Sequence, residues 1–272
     1  MTAVVVPAPK GKDTAARQKR RGALIEVLFD GNGRRKLPRE RDLAAAIDAC
    51  GAEDTWWVCE ANSYGPLYFL PTREWLGELV ALVDSLKAKS VLEVGAGDGF
   101  LSFCLSRRRP DLKVTATDDF SWTKPSARQN DDDRAEFDGV AFAGIRPMAH
   151  VVKHGAVAAV TALRPDLVLC AWPPPGTLVE RVIRAPSKHV VDISVDGDVC
   201  GNGEKTWRFE KEFLSGPLED RGLCRLDGDG PRQTRCTLYF GARHRRHGVD
   251  KSMGTPAAGG LRADKSGGLV FG

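Results

Sequence analysis

Residues 91–99 read VLEVGAGDG, and this stretch decides the fold of the chain. Four residues of buried-strand type run into a turn in which glycine recurs at every second position. Glycine lets the backbone turn sharply there and lets a ligand approach without a Cβ in the way. A helical pattern follows at 100–109, so the stretch predicts a strand, a ligand-binding loop and a helix that offers free N–H groups.

The glycine spacing restricts the kind of ligand. G-x-G-x-G, with Glu93 two residues before the first glycine, differs from the G-x-G-x-x-G of nicotinamide and flavin domains. An acid at this position repels a pyrophosphate and is compatible with a positively charged amine.

A second signal lies about twenty residues further on, where the next predicted strand ends in Asp118 and Asp119. A carboxylate at that place accepts hydrogen bonds from both hydroxyls of a ribose. Together the two features predict a nucleoside site. The alternative interpretation is a plain strand–helix turn with a helix-capping aspartate.

From this stretch onward, strands alternate with helices. The predicted strands cover 91–94, 114–117, 140–145, 167–170 and 190–195, with a final pair at 222–226 and 235–240. Helices are predicted at 149–163 and, broken, at 204–221. This order predicts an α/β fold, a doubly wound, seven-stranded, mostly parallel sheet with a terminal antiparallel hairpin.

Residues 14–87 predict an N-terminal helical and aromatic cap. Helical patterns start at 14, 40 and 72, and an aromatic-rich segment covers 56–71. The predicted organisation is therefore a disordered leader at 1–13, the cap at 14–87, the sheet domain at 88–241 and a disordered basic tail at 242–272.

Composition narrows the class of protein. The chain has 272 residues, of which 42% are hydrophobic, and no apolar run approaches the roughly 18 residues of a membrane-spanning helix. Seven cysteines without any Cys-x-x-Cys pair argue against a zinc knuckle. His150 and His154, expected on one helix, lack the glutamate of a zinc-protease motif. We therefore expect a reduced, cytoplasmic protein with no metal and no membrane association.

The net charge of +4 is unevenly distributed. Residues 1–21 carry a formal charge of +5 and residues 242–272 carry +4, which leaves −5 for the body between them. The acidic body argues against a broad phosphate-binding groove. The basic run at 17–21 is interpreted as a solvated terminus, with nucleic-acid contact as the alternative.

Residues 90–241 resemble a class I S-adenosylmethionine-dependent methyltransferase. The stretch 93–99 matches the first motif of that family, and the acid that ends strand two matches its second motif. The resemblance implies S-adenosylmethionine as cofactor, with Glu93 organising the loop around the methionine amine and Asp118 holding the ribose, Asp119 being the fallback. It also implies cofactor contacts from the loop residues Gly95, Gly97, Asp98 and Gly99, and an adenine site near 145–149 with Met148 as an apolar face.

The resemblance also indicates where the methyl acceptor lies. In amine-methylating members the loop after strand four carries Asn or Asp followed by two prolines and an aromatic residue. Here Trp172 replaces the Asn or Asp, Pro173 and Pro174 remain, and Pro175 replaces the aromatic, which puts amine methylation by that route in doubt. Trp172 is expected to form an apolar wall, to hold a cation by its ring face, or simply to pack. Tyr64, in a segment that resembles a lid, is the further substrate-binding candidate.

The sequence thus predicts a methyltransferase whose acceptor it does not identify. A small molecule or a protein is favoured, and nucleic acid stays open. Two alternatives remain: a non-catalytic scaffold that binds S-adenosylmethionine, and a nicotinamide-dependent oxidoreductase.

Overall fold

The computed structural model describes residues 15–63, 65–123, 143–194, 200, 206–214, 218, 235–243, 262–263 and 269–270. Four helices precede the sheet: α1 (Ala15–Leu28), α2 (Glu40–Cys50), α3 (Ala52–Ala61) and α4 (Arg73–Ser85). In α4 the hydroxyl of Thr72 accepts a hydrogen bond from the Trp75 backbone N–H at 3.2 Å, and this cap fixes where the helix begins. Helix α3 overlaps the start of the aromatic-rich segment 56–71, where the sequence predicted no helix.

The sheet domain follows in alternating order, as the sequence predicts. Its elements are β1 (Ser90–Val94), α5 (Phe100–Arg108), β2 (Lys113–Asp118), a 3-10 turn (Ser121–Thr123), β3 (Val151–Lys153), α6 (Ala156–Leu163), β4 (Leu167–Ala171), α7 (Leu178–Arg184), β5 (His189–Ser194), β6 (Lys211–Phe213) and β7 (Arg235–Phe240). Two short strands, β8 (Arg262–Ala263) and β9 (Leu269–Val270), pair antiparallel in the region predicted to be a disordered tail.

The seven-stranded sheet has the order β3-β2-β1-β4-β5-β7-β6. The first five strands in this order pair parallel, whereas β7 is antiparallel to both β5 and β6. The predicted fold class, a doubly wound and mostly parallel sheet with a terminal antiparallel hairpin, is confirmed. Because the order reverses between β1 and β4, the carboxyl ends of these strands open a crevice in which α/β folds bind ligands.

Two strand positions differ from the prediction. Strand three lies at Val151–Lys153 and not at 140–145, and the helix after it starts at Ala156 and not at 149. The β-branched pair Val151-Val152 therefore overrides the helical pattern in which it was embedded. The partner of β7 in the hairpin is β6 at Lys211–Phe213, inside the predicted broken helix, whereas the predicted partner 222–226 lies outside the described residues.

Helices cover both faces of the sheet. One face shares a continuous core with α5 and with the cap helices, in which Leu24, Trp75 and Leu79 are fully buried. The opposite face packs against α6 and α7 through residues such as Val160 and Val182. The cap is thus joined to the sheet through a common core.

The basic run at 17–21 has a structural role that the charge pattern alone did not show. Arg17, Arg20 and Arg21 on α1 all reach the buried carboxylate of Asp54 on α3, at 2.6, 3.1 and 2.8 Å. Arg21 also lies over the Trp57 ring, 3.9 Å from its centroid. The interpretation of this run as a solvated terminus is therefore wrong, because three guanidinium groups surround one buried acid.

The described part of the chain contains no helix long and apolar enough to cross a membrane.

Candidate cofactor site

A cavity of about 540 Å³ opens at the carboxyl ends of β1, β2 and β4. Its volume lies in the range of about 300–1,000 Å³ that small-molecule and cofactor sites occupy. The glycine loop, the ends of β2 and β4, the start of α6 and the cap segment 66–71 line it. Three predictions from distant parts of the sequence, the loop, the ribose acid and the proline loop, therefore meet in one cavity.

The glycine loop has the conformation that the spacing predicts. Gly95, Gly97 and Gly99 have φ angles of 61°, 58° and 79°, in the left-handed region that residues with a Cβ avoid. Gly95 and Gly97 line the cavity, and the ideal Cβ position on Gly95 has no atom within 4 Å. Space for a ligand therefore lies directly against this part of the loop.

Gly99 is needed for a different reason. A Cβ on it would lie 2.3 Å from a methyl carbon of Val151 and 3.0 Å from the His150 ring. Gly99 caps α5 and sits against the start of β3, and it is not among the cavity-lining residues. Its place in the motif reflects close packing of the loop on the neighbouring strand.

Substitution by alanine should separate these two roles. Gly99→Ala combines left-handed strain with a steric clash, so we expect a loss of about 3 kcal/mol in the free energy of unfolding. Gly95→Ala, with open space at its Cβ, should cost about 1 kcal/mol through backbone strain alone. Urea unfolding of both variants measures the difference, and equal losses would contradict the packing role of Gly99.

Asp118 connects the end of β2 to the glycine loop. Its two carboxylate oxygens accept hydrogen bonds from the backbone N–H groups of Gly97, at 2.9 Å, and Phe120, at 2.7 Å. The side chain is buried, and burial raises the pKa of Asp118 above its usual value, against the two backbone hydrogen bonds. Each oxygen keeps a second lone pair, so the carboxylate can still accept hydrogen bonds from a ligand.

Asp119 lies beside it on the exposed rim. Its carboxylate accepts a hydrogen bond from the Ser121 N–H at 2.8 Å, and the residue also lines the cavity.

Met148 packs in a small cluster with Ala96, Ala116 and Val151 behind the cavity wall. The apolar residue that lines the cavity in this region is Ile145, so the predicted adenine contact of Met148 is still a prediction.

Glu93 lies beneath the loop, only 3% exposed. Its carboxylate accepts a hydrogen bond from the Ser102 N–H at 2.9 Å, in the first turn of α5, where free N–H groups favour a negative charge. Burial outweighs this hydrogen bond and raises the pKa of Glu93 to about 7. Within the described residues Glu93 forms no ion pair, although the charge of Arg35 acts on it. Such a buried acid costs stability, and a cationic ligand group in the cavity would offset that cost.

Arg35 is a residue of the site that sequence reasoning missed. It lies between α1 and α2, lines the cavity, and pairs with Asp98 of the glycine loop at 2.7 Å. Its guanidinium also lies 4.1 Å from the centroid of the Phe100 ring, at the start of α5. No local motif marks this arginine, because its partner is 63 residues away. The pair ties the cap to the loop.

The loop after β4 brings Trp172, Pro173 and Pro174 to the cavity, together with Pro175. Trp172 has a φ of 55°, and its backbone N–H donates to the Ile193 carbonyl at 2.7 Å. Tyr68, from the cap segment, lines the same cavity, whereas the predicted contact Tyr64 lies outside the described residues.

The two histidines do not share a helix. His150 lies in the turn before β3, where its Nε2 is 3.2 Å from the Ser102 hydroxyl, and His154 follows β3 and lines the cavity. The predicted helical placement of these residues is wrong, because strand three occupies 151–153. Within the described ranges, no group of three His, Cys, Asp or Glu side chains is arranged to hold a metal ion.

No family model and no curated protein matches this sequence. Similar solved structures include the methyltransferase domain of the bacterial protein CtHen1, 13% identical, with 62% of this chain and 98% of that chain covered and a TM-score of 0.37. A putative O-methyltransferase from Klebsiella pneumoniae is 14% identical, with 62% and 80% covered and a TM-score of 0.36. The N-terminal domain of EvdMO1, solved with S-adenosylhomocysteine bound, is 15% identical, with 62% and 82% covered and a TM-score of 0.35.

The strand order of this chain is sufficient to assign its fold. A seven-stranded sheet of order β3-β2-β1-β4-β5-β7-β6, with β7 antiparallel and the glycine loop after β1, is the class I methyltransferase fold. The resemblance noted in the sequence thus extends to the architecture.

Proposed function

We propose that the protein is an S-adenosylmethionine-dependent methyltransferase. The observation that carries the proposal is the hydrogen bond of 2.9 Å between the Gly97 N–H and the Asp118 carboxylate. It joins the glycine loop to the acid at the end of β2, so that both halves of the nucleoside motif face one cavity. The cavity thereby offers a ribose acceptor beside a loop that a ligand can approach closely.

The residues present fit this cofactor. Asp118 retains lone pairs for two ribose hydroxyls. The open space at Gly95 allows the cofactor to approach the main chain of the loop closely. Glu93 carries a buried carboxylate whose desolvation a ligand ammonium would offset. Arg35, held by Asp98 at the cavity wall, places a fixed cation where a ligand carboxylate can be recognised.

Bound S-adenosylmethionine supplies a methyl group already activated on a sulfonium. The chain therefore has to bind, orient and exclude water, and it needs no strong general base for the displacement itself. The loop after β4 contributes an indole and three prolines to the cavity lining, and Tyr68 contributes a ring from the cap side. Proline lacks an N–H, so the carbonyl groups of this loop have few competing donors nearby.

The site disfavours the nicotinamide alternative. A dinucleotide places its pyrophosphate at the glycine turn, where Glu93 lies beneath the loop and Asp98 within it. The scaffold alternative differs from the proposal only in lacking turnover, and the two are distinguished by an assay with acceptors.

Calorimetric titration of the purified protein with S-adenosylmethionine, S-adenosylhomocysteine and NADH tests the proposal. We expect micromolar dissociation constants for the first two and no saturable heat for NADH, because the acid Glu93 lies beneath the turn at which a pyrophosphate would bind. The exposed-acid variant Asp111→Ala, remote from the cavity, serves as a control for folding and handling. Tighter binding of NADH, or no binding of either sulfur ligand, would overturn the proposed function.

A further inference from the structure

Two aromatic side chains from different elements stack on each other beside the loop after β4. Tyr68 comes from the segment between α3 and α4, and Trp172 from the loop after β4. Their ring centroids are 6.3 Å apart and their planes differ by 15°. Both residues line the cavity. The cap and the sheet domain thus each contribute one ring to a nearly parallel pair, which we term the aromatic wall.

The backbone of Trp172 is strained. A left-handed φ of 55° in a bulky residue costs about 1–2 kcal/mol, and such strain persists where the surroundings hold it. Here the hydrogen bond from its N–H to the Ile193 carbonyl and the contact of its ring with buried Cys200 hold it in place. A glycine would adopt this turn without strain, so the conformation serves to place the indole at the cavity.

The charge around the aromatic wall restricts what it can bind. The cavity-lining residues from 66–71 and 171–181 include no carboxylate and no carboxamide, and the single charged side chain among them is Arg181. A cationic amine would find no anionic partner among these described residues. A flat neutral ring is complementary to ring faces and prolines, and a partial negative charge on its substituent is complementary to the Arg181 guanidinium.

We propose that the aromatic wall binds the methyl acceptor, a planar aromatic molecule that carries an ionisable hydroxyl group. This inference rests on the proposed methyltransferase function and names its substrate class. The hydroxyl loses its proton to solvent, and the resulting oxygen anion forms a bond to the methyl carbon. The carbon–sulfur bond breaks with its electron pair on sulfur, which gives an aryl methyl ether and S-adenosylhomocysteine.

A binding experiment with matched probes tests this inference. The protein is saturated with S-adenosylhomocysteine and titrated calorimetrically with 2-naphthol, with its saturated analogue decahydro-2-naphthol, and with the cation 2-naphthylmethylammonium. We expect 2-naphthol to bind at least about tenfold more tightly than either analogue, since only the flat, uncharged ring can stack without an unpaired charge.

Three variants identify the surface. Trp172→Leu and Tyr68→Leu should each weaken 2-naphthol binding by about tenfold, the loss expected when one stacking partner is removed, with S-adenosylhomocysteine kept saturating for each variant. Trp207→Leu, 71% exposed and absent from the cavity lining, is the matched aromatic control. Since Tyr68 and Trp172 lie on different elements, loss of folding in one variant leaves the other as a test.

The outcomes separate the two proposals. Equal binding of the saturated analogue, tighter binding of the ammonium, or no binding of 2-naphthol to the loaded protein would each overturn the acceptor class and leave the methyltransferase proposal intact. Unchanged 2-naphthol affinity in both wall variants would also overturn the acceptor site. Failure of S-adenosylhomocysteine itself to bind would overturn both proposals.

Discussion

Asp118→Ala should reduce affinity for S-adenosylmethionine by about 100-fold, because the variant loses charge-assisted hydrogen bonds worth about 1.5–3 kcal/mol each. In the ligand-free protein the Asp118 carboxylate already accepts hydrogen bonds from the backbone N–H groups of Gly97 and Phe120. The substitution therefore also releases the glycine loop from β2. We therefore expect weaker binding together with a lower melting temperature. Calorimetric titration and thermal unfolding of the same preparation measure both effects.

The neighbouring Asp119→Ala is the matched control. Asp119 also lines the cavity, but it is exposed and its one observed hydrogen bond is to the local Ser121 N–H. We expect a loss of affinity of less than about fivefold, typical of a rim carboxylate. A larger loss for Asp119→Ala than for Asp118→Ala would transfer the ribose role to Asp119 and contradict the assignment made here.

Glu93→Gln should stabilise the ligand-free protein and weaken cofactor binding at the same time. In the unfolded chain this carboxyl ionises near its ordinary pKa of 4.5, whereas burial raises the folded-state pKa to about 7. Between these values the folded state keeps a proton that the unfolded state has lost, so the stability of the native sequence falls as pH rises. Glutamine does not titrate, and its advantage should grow from none near pH 4 to about 2–3 kcal/mol at pH 8.

A second buried acid provides the control for this prediction. Asp192 on β5 is 5% exposed, and burial raises its pKa to about 7, but it does not line the cavity. Asp192→Asn should gain stability in the same way, progressively between about pH 4 and pH 7, and leave the affinity for S-adenosylmethionine unchanged. Urea unfolding at pH 5 and pH 8, with titration of the ligand at pH 8, distinguishes the two variants. If Glu93→Gln bound the cofactor as well as the native sequence at pH 8, the proposed role of its charge beneath the amine would be wrong.

The ion pair between Arg35 of the cap and Asp98 of the glycine loop makes the cap one wall of this site. The cap contributes Arg35 and Tyr68, whereas the sheet domain contributes the glycine loop, Asp118 and Trp172. A shared hydrophobic core joins the two regions, so the cavity wall is built from both. Cofactor and acceptor recognition are therefore expected to depend on two segments between the cap helices, one before α2 and one before α4.

The sequence by itself determined the parts of this protein that rest on local patterns. Alternating apolar strands and helices predicted the parallel sheet, and glycine at every second position after residue 94 predicted a sharp turn that a ligand can approach closely. The acid at the end of β2 could be identified because the number of residues between it and the glycine loop is set by one helix and one strand. Those features depend on neighbours in the chain, so the sequence encodes them directly.

Only the tertiary structure decided the rest, because the contacts join residues far apart in the chain. The space at Gly99 is limited by Val151 and His150, and Arg35 is held by an acid 63 residues away. The short strand β3 forms because Val151 to Lys153 meet the edge of β2, which outweighs their helical pattern. The aromatic wall likewise forms only when the cap packs against the sheet. Tyr68 and Trp172 are far apart in the chain, so no local pattern predicts that their rings meet.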